Sequence, residues 1–185
     1  MKNKGMKVIT MTAMLIAMSV VIGIFCKNYL NFVGGLLRIT FENFPIILSG
    51  IMFGPIIGAI TGIATDIISY LMSSQQYPLN FIVTIGAGSI GFVAGLVAFL
   101  LKNKTKKGNT RIIFSCVSAH VIGSMIIKTA GLFQFYGWVV LWRIPLYLVI
   151  IFAETFLICM LYKNSYFRRL IEEHSRNGKE KKREL

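Results

Sequence analysis

Residues 44–72 read FPIILSGIMFGPIIGAITGIATDIISYLM, an unbroken apolar stretch too long for one membrane crossing, which needs about 20 residues. Near its middle stands Gly54-Pro55. Proline has no N–H to donate and disfavours helix at the residue before it, so a tight turn near 53–56 is expected, with a helix on either side. Working outward, the other apolar runs cover approximately 8–26, 80–101, 112–131 and 139–162. Splitting 44–72 gives six transmembrane helices: 8–26, 36–53, 56–72, 80–101, 112–131 and 139–162. The second must begin near Leu36 to reach full length, which brings Arg38 and Glu42 to its outer end. A re-entrant hairpin over 44–72 is the alternative.

Charge supports the even count. Sixteen of the 20 Lys and Arg residues fall in three segments: Lys2 to Lys7, Lys102 to Arg111, and the tail 163–185. Basic segments stay cytoplasmic, so an even number of crossings separates each from the next. The fold expected is an all-α integral membrane protein, a single transmembrane domain with both termini cytoplasmic and a basic cytoplasmic tail.

The composition agrees, with 55% hydrophobic and 15% charged residues against roughly 25% charged in a soluble domain. A formal charge of +13 would suggest nucleic acid in a soluble protein. Here its placement reports orientation and attraction to anionic membrane lipid, and no nucleic-acid partner is expected. Cys26, Cys116 and Cys159 show no disulfide or metal spacing. Lys2 to Lys7 followed by apolar residues resembles a secretory signal, but no small-residue cleavage site precedes Lys27, so a retained first helix is expected. The sequence has no Gly-x-x-x-x-Gly-Lys-Ser/Thr loop, no His-Glu-x-x-His and no Gly-x-Ser-x-Gly, which argues against an ATPase or a hydrolase and leaves no cofactor or metal site to expect.

The four remaining basic residues, Lys27, Arg38, Lys128 and Arg143, all fall near the outer helix ends. Ionisable groups at membrane depth usually face a cavity or a partner, which makes them candidates for function. Each also has an ordinary explanation: Arg38 pairing with Glu42 four residues on, Asp66 bonded to Lys128 or Arg143, Lys128 reaching to the interface. Arg143 is followed by Pro145, which frees a backbone carbonyl there. Aromatics crowd the same level, among them Tyr70, Tyr77, Phe81, Phe133, Trp138 and Trp142, as an interfacial belt or as pocket walls. Aromatic walls with a few cations and one carboxylate suit a planar ligand bearing hydrogen-bond donors and an anionic tail. Glu154 lies deeper, tied to a neighbouring helix through His120 or Ser118 or else a proton or ion site. Gly50, Gly54, Gly58 and Gly62, with Gly91 and Gly95, repeat every four residues as helix-packing positions, and Ala13 and Ala17 share that spacing on the first helix.

Leu37-Arg38-Ile39-Thr40-Phe41-Glu42-Asn43-Phe44-Pro45-Ile46-Ile47, then Gly50, Met52-Phe53-Gly54-Pro55, Gly58, Gly62 and Asp66-Ile67-Ile68-Ser69-Tyr70 resemble the substrate-binding S components of energy-coupling factor transporters, most closely the folate-specific branch. The resemblance covers nearly the whole chain. It implies a membrane protein that captures extracellular folate or a related vitamin and works with a transmembrane coupling subunit and two ATPase subunits. In such systems the S component topples in the membrane to deliver its ligand. Ala13 and Ala17 would form the docking surface for the coupling subunit. Ligand physics then makes Asp66 a partner for pterin donors. Arg38, Lys128 and Arg143 become tail or pterin contacts, and Tyr70, Tyr77 and Trp138 walls or lid. The alternatives are another vitamin, such as riboflavin, thiamine, a pantothenate-like compound or a queuosine precursor, and an ion-coupled secondary carrier using Asp66 or Glu154. Thiamine, a cation, fits three basic residues poorly. Two related halves, common in secondary carriers, are not visible between 1–101 and 102–185. A purely structural subunit would leave the outer charges unexplained.

Overall fold

Two prolines decide where the helices around residue 54 start and stop. In the computed structural model, which describes residues 2–32, 37–72, 80–102, 108–165 and 167–169, Pro45 stands in the first turn of helix α2 (Asn43–Phe53) and Pro55 opens helix α3 (Pro55–Met72). Both occupy first-turn positions, where a missing N–H leaves no bond unmade. Between them Gly54 turns the chain at φ 99°, a left-handed conformation that a side chain resists. Its N–H closes α2 on the Gly50 carbonyl at 2.9 Å, and its own carbonyl receives the Gly58 N–H at 3.0 Å.

The second helix is shorter than expected from the sequence. It begins at Asn43, not near Leu36, and its 11 residues span only about 16 Å, half of a hydrocarbon core of about 30 Å. Pro45 is the cause: continuing the helix upstream would drive its ring against the Phe41 carbonyl and leave that carbonyl without a donor. Residues 37–38 instead form β2 (Leu37–Arg38), paired antiparallel with β1 (Asn31–Phe32) in a two-residue ribbon. Five helical segments are long and apolar enough to cross a membrane, and Asn43–Phe53 is the shorter sixth. The expected six full-length crossings are corrected: among the described residues five helical segments have the length of a crossing, and the second helix falls short of it.

The long segments are α1 (Lys2–Tyr29), α3, α4 (Phe81–Leu101), a rod made of α5 (Gly108–Ala119), a π-helical stretch His120–Lys128 and α6 (Thr129–Tyr136), and finally α7 (Arg143–Lys163), entered through a 3-10 turn at Gly137–Trp142. Helix α4 is central, touching α2, α3, α5, the π-helical stretch and α6, while α1 lies against α2 and α3 and α7 against α5. The protein is an all-α, multi-pass membrane protein. Its exposed side chains include Phe92, Phe99, Phe152, Phe156 and Met160, as a lipid-facing surface requires.

Glycines bring α2, α3 and α4 together. A β-carbon on Gly58 would meet the Gly91 carbonyl, one on Gly91 the Gly58 carbonyl, and one on Gly95 the backbone of Gly54 and Pro55. The four-residue glycine spacing therefore serves packing within the chain, with backbones in contact where side chains would hold them apart.

One end of the bundle gathers Val8, Gly54, Ala98, Phe99 and Arg111 around a shallow apolar cleft, and Gly108 packs against Tyr162 there. The start of α1, the start of α5 and the end of α7 thus share one end, where the three basic segments emerge. The positive-inside rule assigns that end to the cytoplasm. The opposite end, called outer below, holds the ribbon, the end of α3 and the start of α4.

Candidate functional site

Irregular backbone at membrane depth is tolerated only where it is buried in protein or lines a cavity, because lipid cannot satisfy its polar groups. Residues 39–42 are such a stretch. They descend beside α1, where the Ser19 hydroxyl donates to the Glu42 carbonyl and Gly23 leaves room for the Glu42 carboxylate. Thr40, Glu42 and Asn43 are buried. Across the bundle, at the end of the π-helical stretch, Lys128 donates to Asn43 Oδ1 at 3.2 Å and stands 3.6 Å from Glu42 Oε1. Its stem lies over Gly86 of α4.

Lys128 is buried, so it does not reach out to the interface. Because residues 37–38 are strand and α2 starts at Asn43, Arg38 and Glu42 do not share a helical face; Glu42 stands beside Lys128. Arg38 is placed by its backbone alone, and its side chain lies outside the described residues. Tyr77 also lies outside them. Asp66 is half-buried and accepts a hydrogen bond from the Thr84 hydroxyl of α4 at 2.7 Å, in place of the expected link to Lys128 or Arg143. Asn80 caps α4 through the Ile82 N–H at 2.9 Å and donates to the Gly131 carbonyl at 2.8 Å, holding α4 to α6.

Arg143 opens α7 and is buried, with its guanidinium carbon 5.9 Å from the centre of the Tyr147 ring. Its Nε has no hydrogen-bond partner among the described residues. A buried guanidinium N–H without an acceptor is costly unless a ligand supplies one. Tyr70 is half-buried near the outer end of α3, and the Trp138 indole is exposed, standing edge-on to Phe133 at 5.6 Å. Ala13 and Ala17 are both exposed on α1, the helix whose apolar span buries least, at 17%.

Deeper in the bundle, about 16 Å along α7 from Arg143, Glu154 Oε2 lies 2.7 Å from His120 Nε2, both residues fully buried. Ser124 stands 3.4 Å from His120 Nδ1. His120, Ser124 and Lys128, four residues apart, all point inward from the π-helical stretch. Such stretches are rare and recur at functional sites. The expectation that Glu154 is tied through His120 or Ser118 is met by His120. Replacing Glu154 by Leu is expected to lower the stability of the purified chain by about 1–3 kcal/mol, read as a fall in its thermal midpoint, while leaving ligand affinity within about twofold.

Residue-by-residue reading of the sequence did not find Asn43, Thr84 or Asn80. The available signal for Asn43 was Pro45, which must stand in the first turn of a helix and so places Glu42 and Asn43 at the buried start of α2.

The fold is that of a multi-pass membrane protein whose outer portion holds two buried cations, Lys128 and Arg143, and the half-buried Asp66. The chain matches the family described as "ECF transporter, substrate-specific component" over residues 7–170, and it belongs to that family. Members of that family are substrate-binding transport subunits that work with a transmembrane subunit and ATPase subunits of the energy-coupling module. A curated relative, "Uncharacterized protein MG313 homolog" of Mycoplasma pneumoniae (strain ATCC 29342 / M129 / Subtype 1), is 26% identical over 133 residues, covering 72% of this chain and 45% of that protein. The chain thus spans less than half the length of that relative.

Proposed function

We propose that the chain is the folate-binding S component of an energy-coupling factor transporter, capturing folate at its outer end for delivery through its ATPase partners. The observation that carries the reading is the pair of buried cations, Lys128 and Arg143, with the Arg143 Nε unsatisfied among the described residues. An anionic ligand tail supplies the missing acceptor. Asp66, half-buried and already accepting from Thr84, has a second carboxylate oxygen for pterin amine and ring N–H donors. Tyr70, Tyr77 and Trp138 are assigned to walls or lid, and Arg38 to the ligand's anionic groups. The particular vitamin is inferred from ligand chemistry, and another carboxylate-bearing vitamin is the competing choice.

The exposed Ala13 and Ala17 are proposed to dock the coupling subunit, since small residues let a partner helix approach closely. Ala17→Phe is expected to cut energised uptake at least tenfold and leave folate binding by the isolated chain unchanged. The test is folate uptake in cells that depend on external folate. Uptake that needs co-expressed coupling and ATPase subunits supports the reading; uptake by this chain alone, driven by an ion gradient, contradicts it.

A further inference from the structure

We propose that Glu42 is an internal stand-in for the ligand's carboxylate: it neutralises Lys128 in the empty protein and is displaced from it when an anionic substrate binds. The inference rests on the assignment of Lys128 to ligand capture, and it adds a specificity-determining residue absent from that assignment.

Three observations support it. Glu42 Oε1 stands 3.6 Å from Lys128 Nζ, while the closer contact to Lys128, at 3.2 Å, comes from the neutral Asn43. The carboxylate is therefore within ion-pair range yet looser than the amide beside it, and a substrate oxygen can take its place without breaking the shorter bond. Glu42 precedes α2, and its side chain does not cap that helix. Its segment, 39–42, is non-helical and is held by the Ile39 N–H on the Leu30 carbonyl, so a rotation of the Glu42 side chain breaks no helix. Glu42 also abuts α1, its backbone carbonyl accepting from Ser19 and its carboxylate facing Gly23, which ties its position to the helix that carries Ala13 and Ala17. Leaving Lys128 without a counter-charge inside the bundle is strongly unfavourable, which explains why an empty, high-affinity anion site carries its own carboxylate. The same arrangement excludes neutral and cationic compounds, which cannot replace Glu42 at Lys128.

The sign of one substitution separates this role from direct ligand contact or simple structural support. In the purified chain, Glu42→Gln removes the internal competitor while keeping the shape. The variant is expected to be less stable when empty and to bind carboxylate-bearing ligands roughly tenfold more tightly than the parent chain. Thermal unfolding and binding are measured for the parent, Glu42→Gln, Lys128→Met and the double variant, with folate, pantothenate and thiamine as probes. The double variant is expected to recover stability lost in Lys128→Met, since no charge is left unpaired, and to lose the affinity gain. If pantothenate shows the gain and folate does not bind, the folate assignment fails and the role of Glu42 stands. Weaker or unchanged binding of every carboxylate by Glu42→Gln overturns the proposal, as does stabilisation by thiamine with no response to either carboxylate, or no response to any probe.

Discussion

Arg143→Ala is expected to weaken folate binding about a hundredfold or more, the cost of losing a buried charge that pairs with a ligand anion. A guanidinium held inside a membrane bundle, stacked near Tyr147 with Nε unsatisfied among the described residues, is expensive unless a bound anion offsets its burial. Arg143→Lys keeps the charge and loses the planar fork, so it is expected to recover only part of the affinity. Both variants are expected to elute as folded, monodisperse chains on size-exclusion chromatography. Equilibrium binding to the detergent-purified variants checks this, and an Arg143→Ala protein that binds folate as tightly as the parent would remove Arg143 from the site.

Gly91→Leu is expected to abolish assembly of the bundle. A side chain at residue 91 runs into the backbone of Gly58, and a β-carbon on Gly50 or Gly58 would in turn meet the Gly91 carbonyl. Relief requires α4 to separate from α2 and α3 together, and α4 is the helix around which the others pack. Gly5→Leu is the control, because nothing lies within 4 Å of a β-carbon there. Size-exclusion chromatography of the two variants is expected to give a folded, monodisperse peak for Gly5→Leu and aggregate or no recoverable protein for Gly91→Leu.

Much of the architecture is legible in the amino-acid sequence, for reasons that can be located. Gly54-Pro55 marks the turn between α2 and α3 because proline and a positive φ at glycine punctuate a helix whatever surrounds them. The basic segments require both chain ends to emerge together, and α1, α5 and α7 do share one end. The second crossing differs from expectation because bilayer thickness suggests a full-length helix, whereas Pro45 limits the helix locally. That single difference carries into the site: with 36–42 drawn as helix, Arg38 and Glu42 become neighbours, and the Glu42–Lys128 pairing is hidden. Pairings such as Asp66 with Thr84 depend on how α3 and α4 face each other across their glycines, and no spacing along the chain encodes that rotation. His120 with Glu154 is accessible because a buried carboxylate at that depth has few possible partners.

The proposed folate site at the outer portion of the bundle is tested most directly by folate titration of the purified chain followed by tryptophan fluorescence. Trp138 and Trp142, both exposed near the start of α7, supply the signal, with riboflavin, thiamine and pantothenate as competitors. Saturable one-to-one quenching at nanomolar folate, undisturbed by thiamine and weakened in Asp66→Asn and Arg143→Ala, is the result expected. Absence of any folate response, with tight saturable binding of another of these vitamins, would contradict it.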